Sequence, residues 1–270
     1  MKDYPKISII TPSFNQVQFI EDTIVSVLNQ NYPNLEYIII DGGSIDGSVN
    51  VIKKYENELS YWVSEKDEGQ SNAINKGFNI ATGDIIAWIN SDDTYEPNVF
   101  SFVAEFFSSH PEVDFIYGDT KWIDKNGDLL WLKREIKFDY TMGCLIGFGL
   151  IITQPASFWR SSVLQKIGTL NEQLTFNMDG EFFFRIATKC NIHHINLIIA
   201  NFRWYDTSKT ASNNRIMSRQ YTEEIQMVLR KSYSELKISK YIPFQYSEFL
   251  AKIYRIKRIT LKAYHKYYHI

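Results

Sequence analysis

The chain has 270 residues, of which 44% are hydrophobic and 15% aromatic, and its net charge is −2. That is ample material for one large domain, or one domain plus a tail, with no basic excess to draw a nucleic acid. Cys144 and Cys190 are the only cysteines, too few and too isolated for a disulfide framework or a zinc site, so a reducing compartment is expected.

The N-terminus, MKDYPKISII, lacks the apolar core of a signal peptide, and the apolar runs fall short of the ~18–20 residues a membrane span needs. A cytoplasmic body is therefore expected. KISIITPS reads as a buried strand ended by Pro12 and Ser13. Phe19, Ile20, Ile24, Val27 and Leu28 follow at helical spacing. LEYIIID (35–41) predicts a second strand, closed by Gly42 and Gly43, and Val49, Ile52 and Tyr55 a second helix. SYWVSE (60–65) predicts a third strand, Ala73, Ile74, Gly77 and Phe78 a third helix, and DIIAWIN (84–90) a fourth strand. This alternation argues for a parallel sheet wrapped by right-handed crossovers.

After residue 113 the pattern changes. DFIYGDTKWIDKNGDLLWLKRE predicts two strands around the turn signal Asn126-Gly127. The apolar stretch GCLIGFGLIIT leads into QPASFWRSSVLQKIG, which ends in a helix stopped by Gly168. A helix is expected over 179–189, a strand over 193–202, and helices from about 212 onward.

Ligands of open α/β sheets bind outside the carboxyl ends of the strands. Those ends carry Thr11-Pro12-Ser13-Phe14-Asn15, then Asp41-Gly42-Gly43, then Glu65-Lys66-Asp67-Glu68-Gly69-Gln70, and finally Asn90-Ser91-Asp92-Asp93. Acids gathered at one rim repel one another unless a cation or a hydrogen-bonding ligand joins them. Asp92 and Asp93 suit Mg²⁺ or Mn²⁺, which take one or two carboxylates plus substrate phosphates; the other reading is a solvated turn with Asp93 capping a helix near Pro97. Asp41 reads either as an acceptor for a nucleobase or ribose, or as a turn residue before Gly-Gly. Asp46 is expected to cap a helix. There is no G-x-x-x-x-G-K-[ST] or G-x-G-x-x-G loop, so a bound diphosphate needs another source of positive charge.

The runs ISIITPSFNQVQFIEDTIVSVLNQNYPNLEYIIIDGGSIDGS and SEKDEGQSNAINKGFNIATGDIIAWINSDD closely resemble family 2 glycosyltransferases. The resemblance resumes at IYGD, QPASFWR, MDGEFFFR and FRWYDTSKT, and so covers most of residues 5–210. It implies an α/β, Rossmann-like GT-A fold, with a mostly parallel central sheet flanked by helices, over residues 1–212; a helical basic tail over 213–270 lies outside the resemblance. It implies a nucleotide-sugar donor, most often UDP-linked, held by Thr11, Pro12, Asn15, Asp41, Asp67, Gly69, Gln70, Asn72, Asn90, Ser91 and Asp92. It further implies a divalent metal on Asp92 and Asp93, an acceptor near Gln154 and Trp159, and Asp179 as the base of an inverting transfer. The acceptor would be a saccharide or a lipid-linked glycan in cell-envelope polysaccharide assembly. Asn90 replaces the first acid of D-x-D, Met178 replaces a Glu, and Trp204-Tyr205 stand where many members carry a His. A nucleotidyltransferase, or a nucleotide-sugar binder without turnover, are the alternative readings; TPSFNQ lacks the Gly- and Arg-rich loop of the former.

The last segment is basic. Residues 216–270 hold 11 basic and 4 acidic residues, against 18 and 27 in residues 1–215. Over 249–270, Phe249, Ile253, Ile256, Ala263 and Tyr267 share one side of a helical wheel, with most basic residues opposite. Such a helix either packs on the domain or lies on the inner face of an anionic cytoplasmic membrane.

Overall fold

A computed structural model describes residues 4–209 and 219–268; the expected boundary at 212/213 lies outside them. Four Ile-rich segments form parallel strands: β1 (Ile7–Ser13), β2 (Leu35–Asp41), β3 (Tyr61–Ser64) and β4 (Ile85–Trp88). Between them run α1 (Ile20–Leu28), α2 (Ser48–Lys54) and α3 (Gln70–Ile80). Then follow β5 (Thr94–Tyr95), α4 (Val99–Ser109), β6 (Phe115–Ile123), β7 (Leu129–Lys133), α5 (Tyr140–Ile146), β8 (Ser157–Arg160), α6 (Ser162–Ile167), α7 (Met178–Lys189) and β9 (Ile192–Arg203). The described residues end with α8 (Arg219–Ser234) and α9 (Ser247–Tyr268).

The strands join in the order β3-β2-β1-β4-β8-β6-β9-β5, with β7 added to β6. β8 runs antiparallel to both β4 and β6, while β6 and β9 are parallel. A short reversed strand therefore stitches the parallel half to the second half. QPASFWR conceals it because it is an apolar run of strand length sitting directly against a helix, and periodicity cannot separate the two.

Alternation along the strands feeds two cores. Ile7, Ile9 and Ile39 face α1 and α4, whereas Ile10, Ile38 and Ile40 face α3 and the helices after residue 140. Gly77 belongs to this packing, since a Cβ there would collide with Ile10. At Asn98, which has φ 62°, the chain turns into α4; Asp93, the alternative cap, lies buried well before it.

The C-terminal helices are part of this architecture. Val228 and Tyr233 of α8 lie in the core that includes Phe182, Phe183 and Phe184 of α7. Glu224 is buried and receives three consecutive backbone amides: Thr175 N–H at 2.9 Å, Phe176 N–H at 2.8 Å and Asn177 N–H at 3.1 Å. These amides immediately precede α7. A carboxylate borrowed from another helix thus satisfies donors that a helix entry leaves open. Glu224→Ala should cost on the order of 2 kcal/mol, because three part-buried amides lose a charged acceptor. Chemical denaturation measures it, and a change below about 0.5 kcal/mol would contradict the role.

Candidate active site

Parallel strands that end together bring their following loops to one edge. A cavity of about 890 Å³ opens there. Pro12 and Ser13 come from the end of β1, Gly42 and Gly43 from beyond β2, Asp67, Gly69 and Gln70 from beyond β3, and Asn90 to Asp93 from beyond β4. Gln154 and Asp179 enter from the second half of the sheet.

The floor is the Asp92-Asp93 pair. Asp93 is 1% exposed, accepts the Arg203 backbone N–H at 2.9 Å, and faces the Asn90 amide at 3.5 Å. Burial, followed by the neighbouring Asp92, pushes its carboxyl well above the usual carboxylate range. Burial raises Asp92 as well, against the hydrogen bond that Tyr205 Oη donates to its Oδ2 at 3.0 Å and the Arg203 charge. Two recessed acids with raised pKa values mark a place short of positive charge.

Arg203 supplies part of that charge from below. It is 3% exposed, donates to the Asp92 carbonyl at 2.9 Å and to Asp22 at 3.0 Å, and lies 4.7 Å from the Phe19 ring centroid. Around the rim runs a belt of amides. Lys209 donates to Gln70 at 2.8 Å, Gln70 to Asn90 at 2.7 Å, Asn90 to Gln154 at 3.2 Å, and Gln154 to the Trp88 carbonyl at 2.7 Å. The belt explains why an amide stands at position 90. Asn90 both accepts and donates there, whereas an aspartate would set a third carboxylate against Asp93.

The donor set is chemically apt for a hard cation. It consists of oxygen ligands, with Asp92 recessed at the cavity and space beside it for phosphates. Among the described residues no three His, Cys, Asp or Glu side chains gather into an all-protein cage. Asp93, whose two oxygens face Arg203 and Asn90, sits behind Asp92.

Comparison with known proteins decides the assignment. Residues 8–185 match the model of the glycosyl transferase family 2. The chain is a family 2 glycosyltransferase. An uncharacterized glycosyltransferase of Mycobacterium tuberculosis is 31% identical over 215 residues, covering 79% of each chain. One from Rickettsia felis is 29% identical over 229 residues, covering 78% of this chain but 36% of its own longer one. In fold, the glycosyltransferase resembles S. aureus TarS 1–349 in complex with UDP-GlcNAc, with a TM-score of 0.64 at 16% identity, covering 91% of this chain and 79% of that one. It also resembles the mannosyltransferase PcManGT of Pyrobaculum calidifontis in complex with GDP-Man and Mn²⁺, with a TM-score of 0.60 at 14% identity, covering 94% and 74%. The GT-A architecture follows, and the nucleotidyltransferase alternative gives way to the family match.

Five residues expected at the ligand lie elsewhere in this glycosyltransferase. Asp41 is 0% exposed, and its oxygens accept Gly43 N–H, Ser44 N–H, Ser44 Oγ and Ser64 Oγ. It shapes the Gly42–Gly43 wall of the cavity, as the turn reading has it. Thr11 is buried below the rim against Tyr37 Oη at 3.1 Å. Asn15, at φ 52°, accepts the Ile45 amide and so latches two loops together, while its neighbours Phe14 and Gln16 line the cavity. Asn72 turns to Glu172 at 3.0 Å. Trp159 is fully buried at the centre of the sheet, in register with Ile86 and Phe115, so it cannot touch an acceptor.

Arg185 is structural, donating to Glu181 and to the carbonyls of Ile167 and Thr169. Asp46 accepts the Ser48 amide at the start of α2 and the Val17 amide of the neighbouring loop. The residues that spacing alone did not single out are Phe14, Lys66, Phe176, Arg203 and Tyr205, all lining the cavity. Tyr205, from the Trp204-Tyr205 pair, meets Asp92 through its hydroxyl.

Proposed function

We propose that this glycosyltransferase moves a sugar from a UDP-sugar to a saccharide or lipid-linked acceptor, with inversion at the anomeric carbon, in surface polysaccharide assembly. One observation carries the reading: Asp92 and Asp179, from opposite halves of the sheet, line the same cavity. The nucleotide would enter over Phe14, which is 59% exposed at the mouth and offers a flat face to a base. Asp67, Gly69 and Gln70 would flank the ribose. Lys66 and Lys209, both on the cavity wall, would meet the diphosphate. A divalent cation held by Asp92, with Asp93 behind it, would neutralise charge on the departing diphosphate when bound. Gln154 sits beside this floor, where an acceptor would approach.

Asp179 is the second residue of α7, and Gly180 N–H donates to its Oδ1 at 2.8 Å. In the proposed step its carboxylate takes the acceptor hydroxyl proton. The acceptor oxygen bonds to the anomeric carbon as the bond from that carbon to the diphosphate breaks. Glu224, through the amides before α7, keeps this carboxylate in register with the floor. Asp179→Asn should lower transfer about 10²–10⁴-fold while the Kd for UDP stays within about twofold. Rates with a nucleotide-sugar panel, together with UDP titration, check it. Retained transfer, or an equal loss of UDP affinity, contradicts the assignment.

Peripheral membrane contact through α9 forms part of the proposal. Among the described residues no helix is long and apolar enough to cross a membrane. The start of α9 turns Leu250, Ala251 and Tyr254 to the domain, but Phe249, Ile253, Ile256 and Ile259 are exposed beside Lys252 and Arg255. The expected side chains Lys257, Arg258, Lys262, Ala263, Lys266 and Tyr267 lie outside those described. An outward apolar stripe flanked by cations suits an anionic bilayer. Replacing Phe249, Ile253 and Ile256 by Ser should reduce sedimentation with anionic vesicles at least about tenfold. Equal sedimentation contradicts the contact.

A further inference from the structure

The β6–β7 hairpin carries a set of aromatic rings that neither core accounts for. Trp122 of β6 pairs in register with Trp131 on one side and Phe202 of β9 on the other. Its ring centroid lies 4.8 Å from Trp131, 4.6 Å from Phe202 and 5.2 Å from Trp204, with interplanar angles of 28°, 41° and 33°. These spacings and shallow angles are those of rings stacked face towards face, in a row that runs from the edge strand β7 across β6 to β9. Stacked rings cover one another's inner faces, so the flat face left open is that of the outermost ring, Trp131 on the edge strand.

The row is open to solvent at one end and reaches the active site at the other. Trp131 is 45% exposed on a strand whose residues Leu129 to Leu132 are all exposed. Such an apolar edge is costly to leave bare. Phe202, at the inner end, lines the cavity that holds Asp92 and Asp179. The occupant must therefore be compatible with flat aromatic faces and must lead into a site for sugar transfer. A saccharide fits both conditions. The C–H face of a pyranose is apolar and sits flat on an indole, while its rim of hydroxyls stays in water.

We propose that Trp131, Trp122, Trp204 and Phe202 form an acceptor subsite that docks a saccharide chain and guides its growing end into the cavity. The proposal rests on the transfer reading above and names the acceptor class for it. Trp131 lies on an edge strand, so truncating it leaves the core packing unchanged.

The test uses the full chain, fluorescently labelled, on a printed array of oligosaccharides. Wild type, Trp131→Ala and Trp131→Phe are compared, with UDP affinity measured in parallel. Wild type should bind a subset of glycans. Trp131→Ala should lose at least about tenfold of that affinity, Trp131→Phe should keep most of it, and UDP affinity should be the same in all three. Glycan binding that is absent from wild type, or equal in Trp131→Ala, overturns the subsite while UDP binding leaves the donor site standing. Loss in Trp131→Ala of adhesion to anionic vesicles rather than to glycans also overturns it, and assigns the face to lipid. UDP failing to bind the wild type would overturn the transfer reading on which the subsite rests.

Discussion

Two adjacent carboxylates sunk at the end of β4 are the constraint around which the rest of the site is arranged. Burial raises both, and the charge of Asp92 raises Asp93 further. The chain answers with what it has. Arg203 lies beneath the turn, an amide belt spares position 90 a third acid, and Tyr205 donates to Asp92. None of these places a formal positive charge directly on the Asp92 carboxylate. The remaining deficit is what a cation and a diphosphate would fill together, which makes the acid pair the seat of the proposed chemistry.

The parallel half of the fold was legible because its signals are local and strong. Runs such as SIIT and YIIID are short, β-branched and bounded by Gly, Pro or Asp, so both the strands and their ends can be read. From the strand ends the cavity rim follows by topology alone, and Pro12, Asp67, Gly69, Gln70 and Asn90 to Asp93 do meet there. What stayed hidden depends on contacts distant in sequence. β8 is called a strand only by its neighbours β4 and β6. Whether Asp41 faces a ligand or its own turn is decided by Ser44 and Ser64. Trp159 lies in a motif otherwise close to the site, yet the register of β8 sends its side chain into the core. Arg203 gave a fainter signal, as a cation at the end of an apolar strand within FRWYDTSKT.

The C-terminal segment shows the same limit from the other side. Its charge asymmetry read as a tail, but α8 sends Glu224 back into the loop before α7 and Val228 and Tyr233 into the core. The family match ends at residue 185, so the device that orders the entry to α7 comes from outside the matched region. The proposed base is thus supported by a part of the chain that the family match leaves undescribed.

The central claim is that Asp92 couples nucleotide to metal. Calorimetric titration of UDP with and without Mn²⁺, in wild type and Asp92→Asn, tests it most directly. The account predicts that Mn²⁺ tightens UDP binding at least about tenfold in wild type and leaves binding to Asp92→Asn unchanged. An equal Mn²⁺ effect in both proteins, or none in wild type, would contradict it.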